Sequence, residues 1–217
     1  MTLENFGADY FQRGVETGVS NYTDYRWLPD QTIRMAVAIQ GHLGIARQDE
    51  VLDFGCARGY LVKAFRILGI DAAGKDISQW AIENCDPEVK EFVSIFSPGE
   101  PRISPIYDWV IAKDVLEHIP LPPLEATLKK LVQSARRGVF IVVPLTRLID
   151  GDYVCPRDNL DKTHVIRWPL SQWLLFVHRF SPDCIVSGSH HVPGIKQASK
   201  PWPRSCGFIT AKRLKRL

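Results

Sequence analysis

The side chains best suited to proton transfer stand in two places of the chain. Glu117 and His118 follow an apolar segment that ends at Asp114, and His164 stands at the end of a long polar connection. An imidazole has an unperturbed pKa of about 6.5, so a useful fraction is neutral and accepts protons at pH 7. We therefore take His118 as the first candidate for a general base, His164 as the second and Glu117 as a further acid–base group. In an alternative interpretation, Glu117 and His118 only tie this loop to its neighbours by hydrogen bonds.

A turn with two glycines predicts a ligand-binding crevice. Asp53 to Tyr60 reads Asp-Phe-Gly-Cys-Ala-Arg-Gly-Tyr and follows Val51 and Leu52. We interpret it as the end of a buried strand, a turn that leaves room for a ligand, and the start of a helix. Open α/β sheets bind ligands in the crevice at this edge. Ala57 and Tyr60 break the dinucleotide fingerprint Gly-x-Gly-x-x-Gly and so disfavour a nicotinamide dehydrogenase. Asp53 suits a cationic ligand group better than a phosphate.

A second acidic residue, Asp76, follows the next predicted strand and lies 23 residues after Asp53. This is close to the spacing at which an acidic residue meets a ribose in doubly wound nucleotide sites. An ionised carboxylate has two acceptor oxygens for two vicinal hydroxyls. We predict that Asp76 binds a ribose, with an ordinary cap or turn role as the alternative.

Strand-like and helix-like segments alternate along the chain and predict a doubly wound α/β domain. The predicted strands cover residues 50–54, 70–78, 89–95, 107–114, 138–144, 184–190 and 208–212, the last two as an antiparallel hairpin. The predicted helices cover residues 29–43, 60–68, 79–84, 121–135 and 169–180. Residues 145–163 form a long polar connection, and loops of this length are usually functional or mobile.

The first 28 residues are rich in aromatic side chains and interrupted by glycines. We predict a lid or cap over residues 1–28, followed by one domain over residues 29–217. In the lid interpretation Tyr22, Tyr25 and Trp27 line the mouth of the substrate site. In the plainer alternative, the segment only packs on the core.

Composition limits the class of protein. With 217 residues and 45% hydrophobic content the chain can build a sizeable core, and a net charge of +3 is too small to imply nucleic acid binding. No apolar run approaches the ~20 residues of a membrane span, and we expect no signal peptide. Five scattered cysteines without a Cys-x-x-Cys pair predict reduced thiols in a cytoplasmic protein; they are Cys56, Cys85, Cys155, Cys184 and Cys206.

Two motifs resemble those of the class I S-adenosylmethionine (SAM)-dependent methyltransferases. The turn resembles the family's first motif, acidic-x-Gly-x-Gly-x-Gly, with Ala57 in place of the middle glycine. Asp-Val-Leu-Glu-His-Ile at residues 114–119 resembles the motif that follows the fourth strand. The resemblance covers about residues 48–190. It implies a Rossmann-like doubly wound, seven-stranded, mostly parallel sheet with helices on both faces and an antiparallel last strand.

The resemblance also implies SAM as the methyl donor and S-adenosylhomocysteine (SAH) as the product. The residues that it places around the cofactor are Asp53, Gly55, Cys56, Ala57, Gly59, Tyr60, Asp76, Ile77, Phe96, Ser97 and Asp114. Phe96 and Ser97 would flank the adenine, although no Asp stands there to accept from its amino group, as in many members. His164 resembles the Thr-His element of related sugar and polyketide O-methyltransferases.

We therefore expect an enzyme that methylates a hydroxyl of a small molecule, and a sugar or polysaccharide precursor is the acceptor that we predict. Residues 21–25 resemble the stretch before the core domain in methyltransferases linked to sugar modification. Several basic side chains are candidates to line the path of an anionic substrate, although we favour an exposed loop; they are His190, His191, Lys196, Lys200 and Arg204. The sequence does not determine the acceptor or the oligomeric state.

Two alternatives remain. One is a metal-assisted RNA 2′-O-methyltransferase, because Asp114, Glu117, His118 and His164 resemble the divalent-metal site of small-RNA and ubiquinone-pathway methyltransferases. Such a set suits Mn²⁺ or Zn²⁺ better than Mg²⁺, and the ion would lower the pKa of the acceptor hydroxyl. We do not favour bound metal, because an Asp stands where those families carry Glu, nor nucleic acid, because the charge is small. The other alternative is a non-catalytic SAM-binding protein.

Overall fold

A computed structural model describes residues 6–196 and 202–214. The strands are β1 (Glu50–Phe54), β2 (Asp71–Asp76), β3 (Val93–Ile95), β4 (Tyr107–Lys113), β5 (Ala135–Pro144), β6 (Cys184–Ser189) and β7 (Cys206–Arg213). The helices are α1 (Ala8–Gln12), α2 (Gly14–Thr17), α3 (Pro29–Leu43), α4 (Tyr60–Ile67), α5 (Gln79–Glu83), α6 (Pro123–Gln133) and α7 (Leu170–Phe180). Short 3₁₀ turns cover Pro87–Phe92, Leu116–His118 and Pro156–Leu160.

The strands form one sheet in the order β3-β2-β1-β4-β5-β7-β6. β7 runs antiparallel to its neighbours β5 and β6, and the remaining neighbouring pairs are parallel. This confirms the predicted fold class. The strand order reverses between β1 and β4, which is the switch point where open α/β sheets bind ligands. The carboxyl ends of β1, β2 and β4 therefore meet at one edge.

The sheet is covered on both faces because side chains alternate along each strand. Leu52 of β1 packs in a core with α6 and α7, whereas its neighbour Val51 packs in a second core with α3 and α4. In β5, Ile141 faces the first core and Phe140 the second. Two apolar layers thus cover the faces of the sheet, and the acidic residues lie at its carboxyl edge.

The third strand was predicted over residues 89–95, but in the structure only its last three residues, Val93–Ile95, form a strand. Residues Pro87–Phe92 form a 3₁₀ turn instead, because Pro87 suits a first helical position and Asp86 caps the turn by accepting a hydrogen bond from the N–H of Glu88. The long connection after β5 is also more ordered than predicted. It contains the 3₁₀ turn Pro156–Leu160 and a bridge between Thr146 and Tyr153.

The N-terminal segment packs on the glycine turn. Phe6, Tyr10 and Phe11 are buried in a cluster that includes Ala57 and Ala81. The division of the chain at residues 28 and 29 remains a prediction. No helix in the described ranges is long and apolar enough to cross a membrane. All five cysteines are free thiols.

Candidate active site

The glycine turn after β1 has a left-handed backbone. Gly55 has φ +81° and Gly59 has φ +77°, and Ala57 between them has φ +48°. A Cβ on Gly55 would lie 2.2 Å from a methyl of Val115, and a Cβ on Gly59 would lie 2.8 Å from a methyl of Val89. We predicted that these glycines leave room for a ligand. We also predicted a sharp backbone turn at both glycines, and their positive φ angles confirm it. The neighbouring valine side chains are a further reason for glycine there, and the room for a ligand stays a prediction.

Asp76 fastens this turn to the end of β2. One carboxylate oxygen accepts from the N–H of Ala57 and the other from the N–H of Ser78, both at 2.7 Å. Burial raises the pKa of Asp76, whereas these backbone hydrogen bonds lower it. Each oxygen of a carboxylate has a second acceptor position. Asp76 therefore serves the turn and still has acceptor capacity for hydroxyl groups.

Asp53, at the end of β1, is a buried carboxyl. It is 5% exposed, and burial raises its pKa to about 7, against the lowering effect of Lys113. We find no hydrogen bond to its carboxyl from the described part of the chain. A cationic ligand group at this place would stabilise the ionised form.

Asp114, directly after β4, is held by two lysines. Its carboxylate oxygens lie 2.6 Å from Lys113 Nζ and 2.6 Å from Lys196 Nζ. Burial alone would raise its pKa, but the two ammonium groups hold it well below its usual range. We favoured an exposed position for Lys196, which was wrong, because it reaches in from the loop after β6. His191 and Arg204 are exposed, His190 is half-buried, and Lys200 lies outside the described residues.

The three predicted acid–base residues lie together. Each of Glu117, His118 and His164 offers one ligand atom, and these atoms are within 4.8 Å of one another. The imidazole centroids are 4.7 Å apart. Asp114 is not part of this cluster, so the alternative set of four metal ligands is reduced to three among the described residues.

Glu117 has unusual surroundings within the cluster. It is fully buried, and neither carboxyl oxygen has a hydrogen-bond partner in the described ranges. Its backbone carbonyl accepts from the N–H groups of Val165 and Ile166, at 2.9 and 3.0 Å, which brings His164 to the end of β4. A buried polar group without a partner is costly and indicates that a proton, an ion or a ligand belongs there.

Burial sets the protonation of the cluster. It lowers the pKa of His118 to about 4, lowers that of His164 and raises that of Glu117 well above its usual range. At pH 7 both imidazoles are therefore neutral, and each has one nitrogen lone pair that can accept a proton. This is the charge state that a general base requires.

Residues that the sequence analysis missed support the two imidazoles. Thr163 Oγ1 lies 2.8 Å from His118 Nδ1 and donates to Asp161, and the hydroxyl of Tyr10 lies 3.2 Å from the same carboxylate. His164 Nδ1 lies 3.0 Å from the carbonyl oxygen of Asp158. The sequence signal was the run from Asp161 to His164, of which we had singled out only the histidine.

The predicted substrate-lining aromatics lie over the glycine turn and α4. The ring of Tyr25 lies 5.0 Å from that of Tyr22 and 5.2 Å from that of Tyr60, and Trp27 lies 5.8 Å from Tyr60 and contacts Lys63. The same segment reaches the acid–base cluster, because the ring of Phe6 lies 5.5 Å from that of His118. Whether it acts as a lid stays a prediction.

The remaining predicted cofactor residues surround the same edge. Cys56 is buried, and Tyr60 begins α4. Ile77 is half-buried beside the N-terminal aromatic cluster. The ring of Phe96 is buried 5.0 Å from that of Phe54, whereas Ser97 is exposed. The contact of these residues with an adenine stays a prediction.

A family profile described as a methyltransferase domain matches residues 28–184. The chain belongs to this methyltransferase family. The match confirms the predicted SAM-dependent methyltransferase. No curated protein sequence matches the chain.

Three solved structures share the fold at low sequence identity. A SAM-dependent methyltransferase from Archaeoglobus fulgidus has a TM-score of 0.61 and 17% identity, covering 82% of this chain and 92% of that one. Magnesium protoporphyrin IX methyltransferase from Synechocystis with bound SAH has a TM-score of 0.61 and 17% identity, covering 85% and 83%. A putative methyltransferase from Haloferax volcanii in complex with the Trm112 activator has a TM-score of 0.62 and 12% identity, covering 87% and 92%.

The carboxylates of the methyltransferase fit SAM. The cofactor carries a sulfonium and an ammonium group together with two vicinal ribose hydroxyls. Asp53 supplies a buried carboxyl with no hydrogen-bond partner in the described ranges, and Asp76 supplies acceptor positions beside the turn. An opposite charge offsets the cost of burying each group.

Proposed function

We propose that this methyltransferase methylates a hydroxyl group of a small molecule, with His118 as the general base. The observation that supports this most is the buried cluster of Glu117, His118 and His164, in which both imidazoles are neutral at pH 7. A hydroxyl is a weak nucleophile until its proton is removed, and a positioned base contributes roughly 10²–10⁴-fold to such a step.

When bound, SAM supplies a methyl group that is activated by the positive charge on sulfur. In our proposal Asp76 binds the ribose hydroxyls, Asp53 faces the cationic groups, and Gly55, Ala57 and Tyr60 line the crevice. In this proposal His118 accepts the hydroxyl proton, and His164 and Glu117 are the further acid–base groups beside it. Much of the rate enhancement then comes from the alignment of the acceptor with the methyl group.

The proposed acceptor is small, such as a sugar or polysaccharide precursor. An open groove of about 440 Å³ lies between the N-terminal segment and the connection after β5 and is lined by Gly7, Ala8, Asp9, Tyr10, Val19, Lys162 and Thr163. It adjoins the acid–base cluster through Thr163, whose hydroxyl contacts His118. Small-molecule sites have volumes of roughly 300–1,000 Å³. Polar side chains at this groove suit a hydroxylated molecule. Tyr22, Tyr25 and Trp27 would line the mouth of the substrate site as part of a lid.

Isotope transfer is the direct test. The full chain is incubated with methyl-labelled SAM and a panel of sugars, nucleotide sugars and phenols, and calorimetry with SAH checks cofactor binding. We expect labelled product from a hydroxylated acceptor and about 10²-fold slower transfer by His118→Asn. His178→Asn is the control, because His178 is exposed on α7. SAH binding without transfer to any acceptor would favour a non-catalytic SAM-binding protein.

A metal-assisted reaction is the second candidate, and Glu117 favours it. Its two unpaired oxygens face a space shared with two imidazoles that have lone pairs, and carboxylate with imidazole is a ligand set that suits Mn²⁺ or Zn²⁺. For this candidate, the isotope-transfer assay also includes RNA ends as methyl acceptors. Titration of the chain with Zn²⁺ or Mn²⁺ should show one site that Glu117→Gln removes and Glu83→Gln, at an exposed position, keeps. No saturable binding would reject this candidate.

We also infer a cytoplasmic location, because the five thiols are unpaired. Fractionation of cells that express the tagged chain tests this, and recovery in an oxidising compartment would contradict it.

A further inference from the structure

A short chain of hydrogen bonds ends at one nitrogen of His118. Nδ1 of His118 lies 2.8 Å from the hydroxyl oxygen of Thr163, and that hydroxyl lies 2.5 Å from Oδ1 of Asp161. Oδ1 of Asp161 also accepts from the backbone N–H of Thr163 at 2.9 Å. Asp161 is 4% exposed and His118 is 6% exposed, so water does not compete for these positions.

The direction of these hydrogen bonds follows from what each group can donate. A carboxylate only accepts, so the single proton of the Thr163 hydroxyl points to Asp161. The hydroxyl oxygen then has lone pairs but no further proton to offer, and Nδ1 of His118 must be the donor to it. A neutral imidazole carries one N–H. We propose that Asp161 and Thr163 fix His118 in the tautomer with its proton on Nδ1 and leave Nε2 as the nitrogen that accepts a proton.

Tyr10 connects this arrangement to the N-terminal segment. Its hydroxyl donates to Oδ2 of Asp161 at 3.2 Å, and its ring is buried. Burial raises the pKa of Tyr10 far above its usual value, so the hydroxyl keeps its proton and remains a donor. The second oxygen of Asp161 is thereby occupied, which keeps the first oxygen turned towards Thr163.

The tautomer of His118 does not depend on the proposed function. Only its consequence for catalysis rests on that function. If His118 is the general base, Nε2 is its working atom, and Asp161 and Thr163 are positioning residues. In the Ser-His-Asp hydrolases, exchange of the orienting Asp for Asn reverses the tautomer and lowers kcat by about 10⁴-fold. Here the carboxylate of Asp161 acts on His118 through the hydroxyl of Thr163, so we expect a smaller loss of kcat.

Nitrogen NMR of the full chain without cofactor or acceptor tests the tautomer. The ¹⁵N shifts of His118, assigned by comparison with His118→Asn, separate a protonated nitrogen from one with a free lone pair. We expect the wild-type chain to carry the proton on Nδ1. Thr163→Ser keeps the hydroxyl and should keep this pattern, whereas Thr163→Val should shift the proton towards Nε2. Asp152→Asn is the control, because its side chain on the same connection is 92% exposed.

The outcomes separate the inference from the proposed function. A wild-type proton on Nε2 would overturn the inference without any variant, and so would an unchanged pattern in a folded Thr163→Val chain. Once an acceptor is known, Thr163→Val should lower kcat about 10- to 100-fold, and Thr163→Ser should restore it. Absence of methyl transfer would reject the proposed function and leave the tautomer result standing.

Discussion

Exchange of Asp76 for Asn separates its structural task from its proposed task in binding. Both carboxylate oxygens accept a backbone N–H at 2.7 Å, from Ala57 and from Ser78. An amide has one acceptor oxygen, so one of these N–H groups would face an NH₂ donor. A buried donor without an acceptor costs about 1–3 kcal/mol, and we expect the free energy of unfolding in urea to fall by this amount.

In addition to this loss of stability, we expect Asp76→Asn to bind the cofactor more weakly. A hydrogen bond to a charged group contributes about 1.5–3 kcal/mol. Loss of the charge at Asp76 should therefore weaken SAH binding roughly 10- to 150-fold, measured by calorimetry under conditions in which both chains are fully folded. Asp71→Asn is the matched control, because Asp71 begins the same strand and its side chain is 69% exposed. A destabilised Asp76→Asn chain that binds SAH as tightly as the wild type would refute the ribose role.

Three further predictions concern Asp53, the glycine turn and Asp114. Burial raises the pKa of Asp53 in the folded chain to about 7, above its ordinary value of 3.8. Between these two values the folded chain binds more protons than the unfolded chain, so the free energy of unfolding falls as pH rises. Asp53→Asn should therefore gain stability relative to wild type by about 1.4 kcal/mol per pH unit between pH 5 and 6, and by about half as much per unit near pH 7, measured by urea unfolding. Gly69→Ala should cost about 1–2 kcal/mol through its φ of +75° alone, and Gly59→Ala should cost more, because its Cβ would meet Val89. Lys196→Met should raise the pKa of Asp114, measured by carbon NMR titration, because one of its two cations is removed.

Each of these predictions can fail in a recognisable way. A difference between Asp53→Asn and wild type that does not change with pH would show that Asp53 is ionised in the folded chain throughout. Equal losses for the two glycine variants would mean that the contact with Val89 relaxes without cost. An unchanged titration of Asp114 in Lys196→Met would mean that Lys113 alone holds the carboxylate ionised.

Local sequence patterns predicted most of the fold. The bounds of β1 and α3 were predicted as observed, because apolar alternation and the helical period are properties of neighbouring residues. The 3₁₀ turn before β3 was missed, because the apolar residues there also fit a strand and only the capping of Asp86 decides between the two. The sharp turn at the two glycines was predicted correctly, whereas their close neighbours Val115 and Val89 were not predicted, because they come from other elements.

By itself the sequence determined the methyltransferase family, the sheet and the edge at which its acidic residues meet. It also named Glu117, His118 and His164 as chemical groups. Only the tertiary structure decided which groups touch. Lys196 forms an ion pair with Asp114, which is 82 residues away in the sequence. Tyr10 donates a hydrogen bond to Asp161, which is 151 residues away. Along the sequence, a lysine has many carboxylates with which it could form an ion pair, and a carboxylate has many donors from which it could accept a hydrogen bond. The path of the folded backbone selects among them, because burial removes water and makes an unpaired polar group costly.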